Sequence, residues 1–263
     1  MKIASWNVNS LKVRLAHVLM WLEKTQVDIL ALQETKLMDE NFPAEEIQQA
    51  GYQVVYSGQK TYNGVAILCK EQYLIEDVVT DLPNLDDPQR RILATTINGI
   101  RILNLYVVNG AEVGSEKFEY KLEWLNKVTE WVEEQSRQYP KMIILGDFNI
   151  APDDRDVHNP NSWHERILCS TPERNALQKL KDTGFVDSFR LFEQEDNIFS
   201  WWDYRSGGFD KNMGLRIDLI LLSSILAEQC IASYVDPEPR GWERPSDHAP
   251  VVCELRNIVT TQA

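Results

Sequence analysis

The sequence is poor in positive charge relative to negative charge. Its 263 residues include 27 Lys and Arg against 40 Asp and Glu, which gives a formal net charge of −13 at pH 7. A protein that holds a polyanion by bulk charge normally carries a basic excess. Binding of nucleic acid by bulk charge is therefore excluded, and any bound polyanion must meet local Lys or Arg side chains or a bound cation.

Cysteine is also scarce. The four cysteines are Cys69, Cys169, Cys230 and Cys253; they lie far apart, form no CxxC pair and have no His nearby at zinc-binding spacing. Structural zinc sites need clustered ligands at short spacing. We therefore expect four reduced, mostly buried thiols and no structural zinc.

Long apolar runs and flexible linkers are absent as well. No run reaches the roughly 18 apolar residues that a membrane span needs. Polar Asn7, Asn9 and Ser10 interrupt the first residues before a signal peptide could form. No stretch rich in Gly, Ser or Pro divides the chain. We expect one cytoplasmic, monomeric domain over residues 1–263 that does not contact a membrane.

Short apolar runs alternate along the chain with segments of helical periodicity. Residues 11–22 carry apolar side chains at helical spacing, whereas 27–32 is an apolar run too short for a helix and is typical of a buried strand. Asn98 and Gly99 between two strand-like runs predict a hairpin turn. Together these signals predict an α/β fold with mixed sheets covered by helices. Strands are predicted at 2–6, 27–32, 51–55, 64–70, 91–97, 100–108, 142–145, 216–222 and 251–255, helices at 11–22, 118–132 and 174–183, and a long loop at 151–175.

Carboxylate and carboxamide side chains stand at or near the ends of several predicted strands. One such residue is unremarkable, because Asp and Asn form turns. Several that converge on one sheet edge would repel each other and would normally need a compensating metal ion. Each residue alone also has a structural interpretation, but the repeated pattern favours a functional site. The residues are Asn7, Glu34, Asp147, Asn149, Asp218, Asp247 and His248.

The spacing of these residues indicates how they could work together. Glu34 offers an oxygen ligand suited to Mg²⁺, which needs few protein ligands. Asp147 and Asn149 are two apart, so on an extended backbone both side chains project from one face. That would pair a proton acceptor with an amide donor for a phosphate oxygen. Asp247 would point away from the adjacent His248, so Asp218 is the better partner to orient the imidazole.

Several segments occur in the order of a known family. They are Asn7, LQETK at 32–36, GDFNIAP at 146–152, GLRID at 214–218 and SDHAP at 246–250. They resemble the signature segments of the exonuclease III family of apurinic/apyrimidinic endonucleases. The Trp-rich segment FSWWDYRS at 199–206 strengthens the similarity to the bacterial branch. QET and SDHxP are less specific, because they also belong to the wider endonuclease/exonuclease/phosphatase superfamily.

The resemblance implies a fold and a reaction. The fold is a four-layer α/β sandwich, in which helices flank two packed mixed sheets. The reaction is cleavage of the phosphodiester on the 5′ side of an abasic site, which leaves a 3′-hydroxyl and requires Mg²⁺ or Mn²⁺. Activity as a 3′→5′ exonuclease and as a 3′-phosphodiesterase or phosphatase would accompany it. The substrate would be double-stranded DNA with abasic sites or blocked 3′ ends.

The resemblance also implies which residues bind the metal and activate water. Glu34 would bind the metal, with Asn7 close by and Asp247 supporting the site. Asp147 would activate or position the attacking water.

Other residues would hold the phosphate by the same matching. Asn149 and Tyr106 would contact it, and His248, oriented by Asp218, would stabilise the charge that develops on it. Whether Asp147 or His248 takes the proton stays open at this stage.

The resemblance implies a substrate pocket too. Trp201, Leu215 and Ile217 match an apolar pocket that receives the flipped abasic sugar, although core packing is a competing interpretation, above all for Ile217. Flipping a nucleotide without a base costs less stacking energy than flipping an intact one. Asn109 and Arg90 complete the predicted substrate-binding set.

Phosphate contacts are expected mainly from isolated basic residues. The loop at 111–117, which follows Asn109 and Gly110, is acidic and departs from a basic DNA-facing loop. Val108 also stands where the family carries a proline. The candidate contacts are Arg90, Arg91, Lys121, Arg205 and Arg216.

Two other interpretations compete with a DNA repair nuclease. A phosphodiesterase or phosphatase of the same superfamily, acting on lipid head groups or inositol phosphates, would use the same Glu34, Asp147, Asn149 and His248. A non-catalytic DNA-binding module would be expected to have lost one of these residues and to carry a basic surface. The balance between the nuclease activities and the number of metals in turnover stay open.

Overall fold

The computed structural model describes residues 1–256 of the chain. Within that range, two six-stranded sheets pack face to face and helices cover their outer faces. The predicted domain over residues 1–263 therefore extends at its C-terminal end beyond the described residues. In the described range, no helix is both long enough and apolar enough to cross a membrane.

Fourteen strands are present among the described residues. In chain order they are β1 (Lys2–Asn7), β2 (Ile29–Gln33), β3 (Tyr52–Ser57), β4 (Val65–Lys70), β5 (Ile75–Val79), β6 (Ile92–Ile97), β7 (Ile100–Tyr106), β8 (Met142–Asp147), β9 (Phe185–Asp187), β10 (Trp201–Trp202), β11 (Gly214–Leu215), β12 (Asp218–Ser223), β13 (Cys230–Val235) and β14 (Val251–Leu255).

Both large sheets are mixed, as the sequence predicts. The first has the strand order β13-β14-β1-β2-β4-β3, and the second has the order β5-β6-β7-β8-β12-β9. The pairs β1–β2 and β7–β8 are parallel, while the other pairs within these sheets are antiparallel. The short strands β10 and β11 form a separate antiparallel pair.

Three apolar layers hold the sheets and helices together. Ile67 and Leu145 belong to the layer between the two sheets, and both are completely buried. Trp21 packs against the outer face of the first sheet, and Trp124 and Leu180 pack against that of the second. The four-layer sandwich is therefore confirmed. The α-helices are α1 (Leu11–Thr25), α2 (Ala44–Gln49), α3 (Glu116–Gln138), α4 (Pro160–Trp163), α5 (Thr171–Asp182) and α6 (Ser224–Ala227).

Two local predictions were wrong. Residues 151–175 do not form one loop, because they contain a 3₁₀ turn at Asp154–Asp156, helix α4 and the start of α5. Ser170 and Glu173 form a capping box at the start of α5, and Pro172 is tolerated in its first turn. The proline therefore marks a helix start rather than a loop.

The predicted strand at 216–222 is also divided. The amide of Arg216 donates to the Asp156 carbonyl and the amide of Ile217 donates to the Ser200 hydroxyl, so both bonds leave the sheet ladder. Strand β12 begins only at Asp218. The hairpin at Asn98 and Gly99 and the strand at 251–255 are confirmed.

The four cysteines are free, as expected. Cys69, Cys169 and Cys253 are buried and Cys230 is partly buried. Burial raises the pKa of the Cys69 thiol to about 11, so this thiol stays protonated at neutral pH.

Gly146 allows the close approach of β7 and β8 just before Asp147. Its φ is +142°, and an added Cβ atom would lie 1.9 Å from the carbonyl oxygen of Leu105. The Leu105 backbone cannot move away from this atom without displacing the central strands β7 and β8. A side chain at position 146 is therefore excluded by sterics as well as by conformation.

We expect Gly146→Ala to destabilise the protein by about 3 kcal/mol, because overpacking adds to the cost of a positive φ. Gly99→Ala is the matched control: its φ is +72°, but nothing lies within 4 Å of the added Cβ. Urea unfolding of both variants measures the difference. Equal losses of unfolding free energy would show that the contact with Leu105 does not matter.

Candidate active site

Six of the residues predicted for the site meet along one edge of the two sheets. Strands β1, β7 and β8 end there, and β12 begins there because it runs antiparallel to β8, with Asp218 opposite Asp147. The segment before β14 enters the same edge. The six residues are Asn7, Glu34, Tyr106, Asp147, Asp218 and His248.

His248 lies between two carboxylates. Its Nδ1 is 2.8 Å from Asp218 Oδ2, and its Nε2 is 3.6 Å from Asp147 Oδ2. All three side chains are buried. Burial alone lowers the pKa of the imidazole, but the two carboxylates outweigh it and raise the pKa of His248 to about 10. The arrangement therefore favours an imidazolium at neutral pH.

Asp147 is short of compensating positive charge. Burial raises the pKa of its carboxyl to about 7, with Asp218 adding to the effect and His248 opposing it. The Asn7 amide donates to Asp147 Oδ2 over 2.9 Å, and the Asn149 amide N–H donates to Oδ1 over 2.9 Å. These bonds orient the carboxylate without neutralising it.

Ser200 is a buried residue that sequence reasoning missed. Its hydroxyl donates to Asp218 Oδ2 over 2.6 Å and accepts from the amides of Ile217 and Asp218. A serine alone carries no sequence signal of this role; the FSWW segment that contains it was the only indication. Ser200 fixes the carboxylate that in turn orients His248.

Glu34 is the most accessible carboxylate of the central group. Its Oε1 accepts from the Asn7 amide over 3.0 Å and from the Tyr106 hydroxyl over 2.8 Å, and its Oε2 is 3.2 Å from Lys36 Nζ. Burial favours the neutral acid, but the Asn7 amide, the Lys36 ammonium and the Tyr106 hydroxyl outweigh it and hold the pKa of Glu34 below its usual value. Glu34 therefore stays ionised.

The backbone at Glu34 adopts an unusual conformation. Glu34 has a φ of +51° and Lys36 a φ of +55°. Such left-handed residues cost free energy and cluster at functional sites. The turn after β2 thus aims the Glu34 carboxylate toward the Asp147 carboxylate across the Asn7 amide.

Asn149 does not lie on an extended backbone, so that part of the prediction was wrong. Its φ is +48°, because the chain turns at once to let its amide N–H reach Asp147 Oδ1. Its side-chain amide donates to the Val107 carbonyl and accepts from Asn109 Nδ2 over 3.2 Å. Asn109 and Asn149 therefore form one pair beside Asp147.

Asp247 lies in a different part of the network from Glu34. Its Oδ2 accepts from Trp201 Nε1 over 3.0 Å, and its Oδ1 accepts from Asn9 Nδ2 over 3.1 Å. Asn9 in turn accepts from Lys36 Nζ over 2.6 Å. Asn9 and Lys36, neither of which was predicted, thus connect Asp247 with the Glu34 side of the site.

The three predicted pocket residues differ in exposure. Leu215 and Ile217 are 0% and 1% exposed and pack in one small apolar cluster, whereas Trp201 is only partly buried beside them. Trp201 pairs with Leu215 across the short β10–β11 sheet and forms a bridge with His248. The Trp201 side chain thus packs against the apolar cluster and reaches Asp247 through its Nε1.

The basic residues expected to contact phosphate occupy different environments. The side chains of Lys121 and Arg216 are 0% and 1% exposed and form buried ion pairs, so as placed they cannot reach a ligand in solvent. Arg90 is partly exposed and pairs with Asp81, and Arg205 pairs with Asp203 at the surface. The Arg91 guanidinium lies over the Tyr106 ring, 4.7 Å from its centre.

A divalent cation fits the donor chemistry beside Glu34. Asp147, Asp218 and His248 place ligand atoms within 4.8 Å of one another. His248 and Asp218 are already hydrogen-bonded to each other, however, so they are not the favoured ligands. Glu34 and Asp147 each accept from the same Asn7 amide nitrogen, and Asp147 lacks full compensation. Asn7 presents its nitrogen to both carboxylates and separates them, and a cation held by Glu34 would balance their charge.

Comparison with known proteins agrees with this geometry. The model of the endonuclease/exonuclease/phosphatase family matches residues 4–248. The chain belongs to this family. The described sheets and helices match the fold of its solved structures.

Several relatives of this family cover almost the whole chain. Exodeoxyribonuclease III from Haemophilus influenzae is 38% identical over 97% of this chain and 100% of its own length. A 3′ phosphatase from Neisseria, solved with a product DNA hairpin, is 48% identical with a TM-score of 0.95, covering 97% of this chain and 99% of its own. An AP endonuclease from Archaeoglobus fulgidus is 37% identical with a TM-score of 0.92 and the same coverage.

We expect Ser200→Ala to lower kcat by about tenfold while KM changes little, because Asp218 would lose one of the bonds that fix it. Ser223→Ala is the matched control, because the buried Ser223 hydroxyl accepts from the Met142 amide over 3.1 Å at the end of β12 that lies opposite Asp218. Steady-state kinetics on DNA measures both variants. An equal loss of kcat in both variants would contradict a specific role of Ser200 in fixing Asp218.

Proposed function

We propose that the chain is a metal-dependent DNA repair nuclease. It hydrolyses the phosphodiester on the 5′ side of an abasic site and leaves a 3′-hydroxyl, and it also removes nucleotides or blocking groups from 3′ ends. The observation that carries the proposal is the buried row Asp218, His248 and Asp147 beside the ionised Glu34. The exodeoxyribonuclease, AP endonuclease and 3′ phosphatase named among the relatives support the DNA substrate.

The proton acceptor in this proposal is Asp147. Both ring nitrogens of His248 face carboxylates, so the ring carries two protons and cannot accept another. Asp147 is held by Asn7 and by the Asn149 amide, with its Oδ2 toward the ring. It takes the proton of the attacking water, while the imidazolium stabilises the charge that develops on the phosphate.

Amide and hydroxyl donors hold the phosphate. Asn149 and Asn109 form a fixed amide pair next to Asp147, and each amide nitrogen keeps a second N–H for the phosphate. The Tyr106 hydroxyl reaches the same edge and would donate to the phosphate after exchanging its bond to Glu34. Preorganised donors need little rearrangement when charge develops, which is why such groups stabilise transition states well. The predicted roles of Asn149 and Tyr106 are compatible with their placement.

The cation in this proposal is Mg²⁺, with Mn²⁺ able to replace it. Glu34 would hold it, with the Asn7 and Asp247 networks on either side of that carboxylate. When bound, the ion supplies charge neutralisation at the phosphate and at the leaving 3′-oxygen. The protein has a net charge of −13, so no basic excess attracts the DNA. A bound cation would supply the positive charge that the phosphate needs at the site.

Substrate choice rests on Trp201, with Leu215 and Ile217 behind it. Trp201 is partly exposed and its Nε1 donates to Asp247, so a small sugar would contact the exposed part of the indole beside Asp247. Arg90 would contact a phosphate further along the strand after exchanging its bond to Asp81. One chain supplies all of these side chains, so we infer a monomer.

A phosphodiesterase for lipid head groups or inositol phosphates would use the same central residues. The central residues therefore do not distinguish the two substrate classes. These residues are Glu34, Asp147, Asn149 and His248. The relatives that cover the chain from end to end carry the names of DNA enzymes, which favours the nuclease. The intact set of central residues equally opposes a non-catalytic DNA-binding module.

Metal removal is expected to abolish activity. Stripping with EDTA should leave no measurable incision, and added Mg²⁺ or Mn²⁺ should restore it. Glu34→Gln should lower kcat/KM by about 10²-fold or more, because the neutral amide weakens both metal binding and charge balance. Glu45→Gln, on the exposed face of α2, is the control. Full activity of the stripped enzyme would contradict metal dependence.

Removal of the apolar wall should lower the selectivity for the abasic duplex. Trp201→Ala or Leu215→Ala should reduce the ratio of kcat/KM on an abasic duplex to that on the matched intact duplex, because an intact nucleotide is then excluded less strictly. Leu180→Ala, which removes a buried side chain from the remote layer under α5, should lower stability without changing this ratio. If this ratio is unchanged in all three variants, Trp201 and Leu215 only pack the core and do not select the substrate.

The same variants can separate the activities at abasic sites and at 3′ ends. Duplexes with a 3′-phosphate need no flipped sugar, so Trp201→Ala should reduce their hydrolysis less than it reduces abasic incision. Glu34→Gln should reduce both equally. Rates on the two substrates, measured with one enzyme preparation, provide the comparison; equal losses in Trp201→Ala would contradict a separate sugar contact.

A further inference from the structure

Lys121 is a fully buried ammonium behind the active site. It lies on α3, and its side chain is 0% exposed. Its Nζ donates to the backbone carbonyls of Asn109 over 3.0 Å and Asn149 over 2.7 Å, and to the Glu173 carboxylate. One nitrogen thus joins the loop after β7, the loop after β8 and the start of α5.

The Glu173 carboxylate, which is the ion-pair partner of Lys121, also has several hydrogen-bond donors. It accepts from the amides of Leu168 and Ser170 over 3.0 and 3.1 Å, and from the Ser170 hydroxyl over 2.6 Å. A buried ion pair is generally no better for stability than apolar residues of the same volume, because both charges lose their hydration. Stability alone therefore does not account for a buried pair whose ammonium contacts two active-site loops.

The loops that Lys121 joins are conformationally demanding. Asn149 has a φ of +48° and Gly110 a φ of +91°. An added Cβ at Gly110 would be 3.0 Å from Lys121 Cδ, so the loop rests directly on the lysine stem. The Lys121 ammonium binds the carbonyl of the strained Asn149 itself, which fixes the direction of that peptide group.

We propose that Lys121, with Glu173, is a positioning residue for the phosphate-binding amides of Asn109 and Asn149. It does not touch substrate; it holds the two backbone segments at the spacing that lets the side-chain amides pair at 3.2 Å beside Asp147. This inference rests on the proposed function, in which the two asparagines bind phosphate. Loss of the ammonium releases both carbonyls and lets the amides move apart.

A double-mutant cycle tests this role. Lys121→Met keeps the side chain as far as its ε position and removes the ammonium, and it should lower kcat on an abasic duplex by about tenfold or more. In an Asn109→Ala/Asn149→Ala background the same change should have less than about a twofold effect, because no amides remain to be positioned. Glu173→Gln provides a second, milder variant if Lys121→Met does not fold.

Arg101→Met is the control for loss of a buried cation. Arg101 lies at the start of β7, at the opposite end of the strand from Tyr106, and is 1% exposed. Its guanidinium donates to the Gln135 side chain and to the Asp77 carbonyl. Its removal should lower the unfolding temperature and leave kcat close to the parent value. An equal loss of kcat in Arg101→Met and Lys121→Met would assign both effects to general destabilisation.

The outcomes separate the inference from the proposed function. If the Asn109→Ala/Asn149→Ala variant retains the parent kcat, the phosphate-binding role of the asparagines fails, and the inference fails with it. If that variant is impaired but Lys121→Met lowers kcat equally in both backgrounds, the function stands and the positioning role is overturned. Strong coupling together with an unaffected Arg101→Met supports both.

Discussion

The contact between the His248 ring and the Asp218 carboxylate joins the two sheets at the edge that carries the candidate site. His248 precedes β14 of the first sheet, whereas Asp218 begins β12 of the second. Asp147, on the neighbouring strand β8, faces the other ring nitrogen. The relative position of the sheets therefore decides whether the ring carries two protons, and the apolar layer between the sheets holds that position.

The surrounding residues make sense as supports for this contact. Ser200 fixes Asp218 from behind, the Asn7 amide spaces Asp147 from Glu34, and Lys121 holds the loop that carries Asn149. Each support is buried and hydrogen-bonded to backbone or to a charged group. Such preorganisation costs folding free energy at strained residues, and it places the charges before substrate arrives.

The sequence predicts what depends on periodicity and on local order. Apolar runs located most strands of both sheets, and polar strand ends located the residues that converge on the site. The edge strands β5, β9 and β13 were missed, because β5 and β13 have exposed, irregular patterns that resemble loops and β9 has only three residues. Ser200 and Lys121 were not assigned their roles, because a buried hydrogen bond between residues far apart in sequence leaves no local pattern. The turn at Asn149 was missed because spacing alone assumes an extended backbone.

The protonation state of His248 tests the central claim most directly. Its ring ¹⁵N signals, assigned by comparison with His248→Asn, can be followed by NMR as a function of pH in metal-free protein. We expect the ring to remain doubly protonated to above about pH 8, because the carboxylates raise its pKa to about 10, and to lose its proton at lower pH in Asp218→Asn. Deprotonation near the ordinary value of about 6.5 in the parent protein would contradict the account.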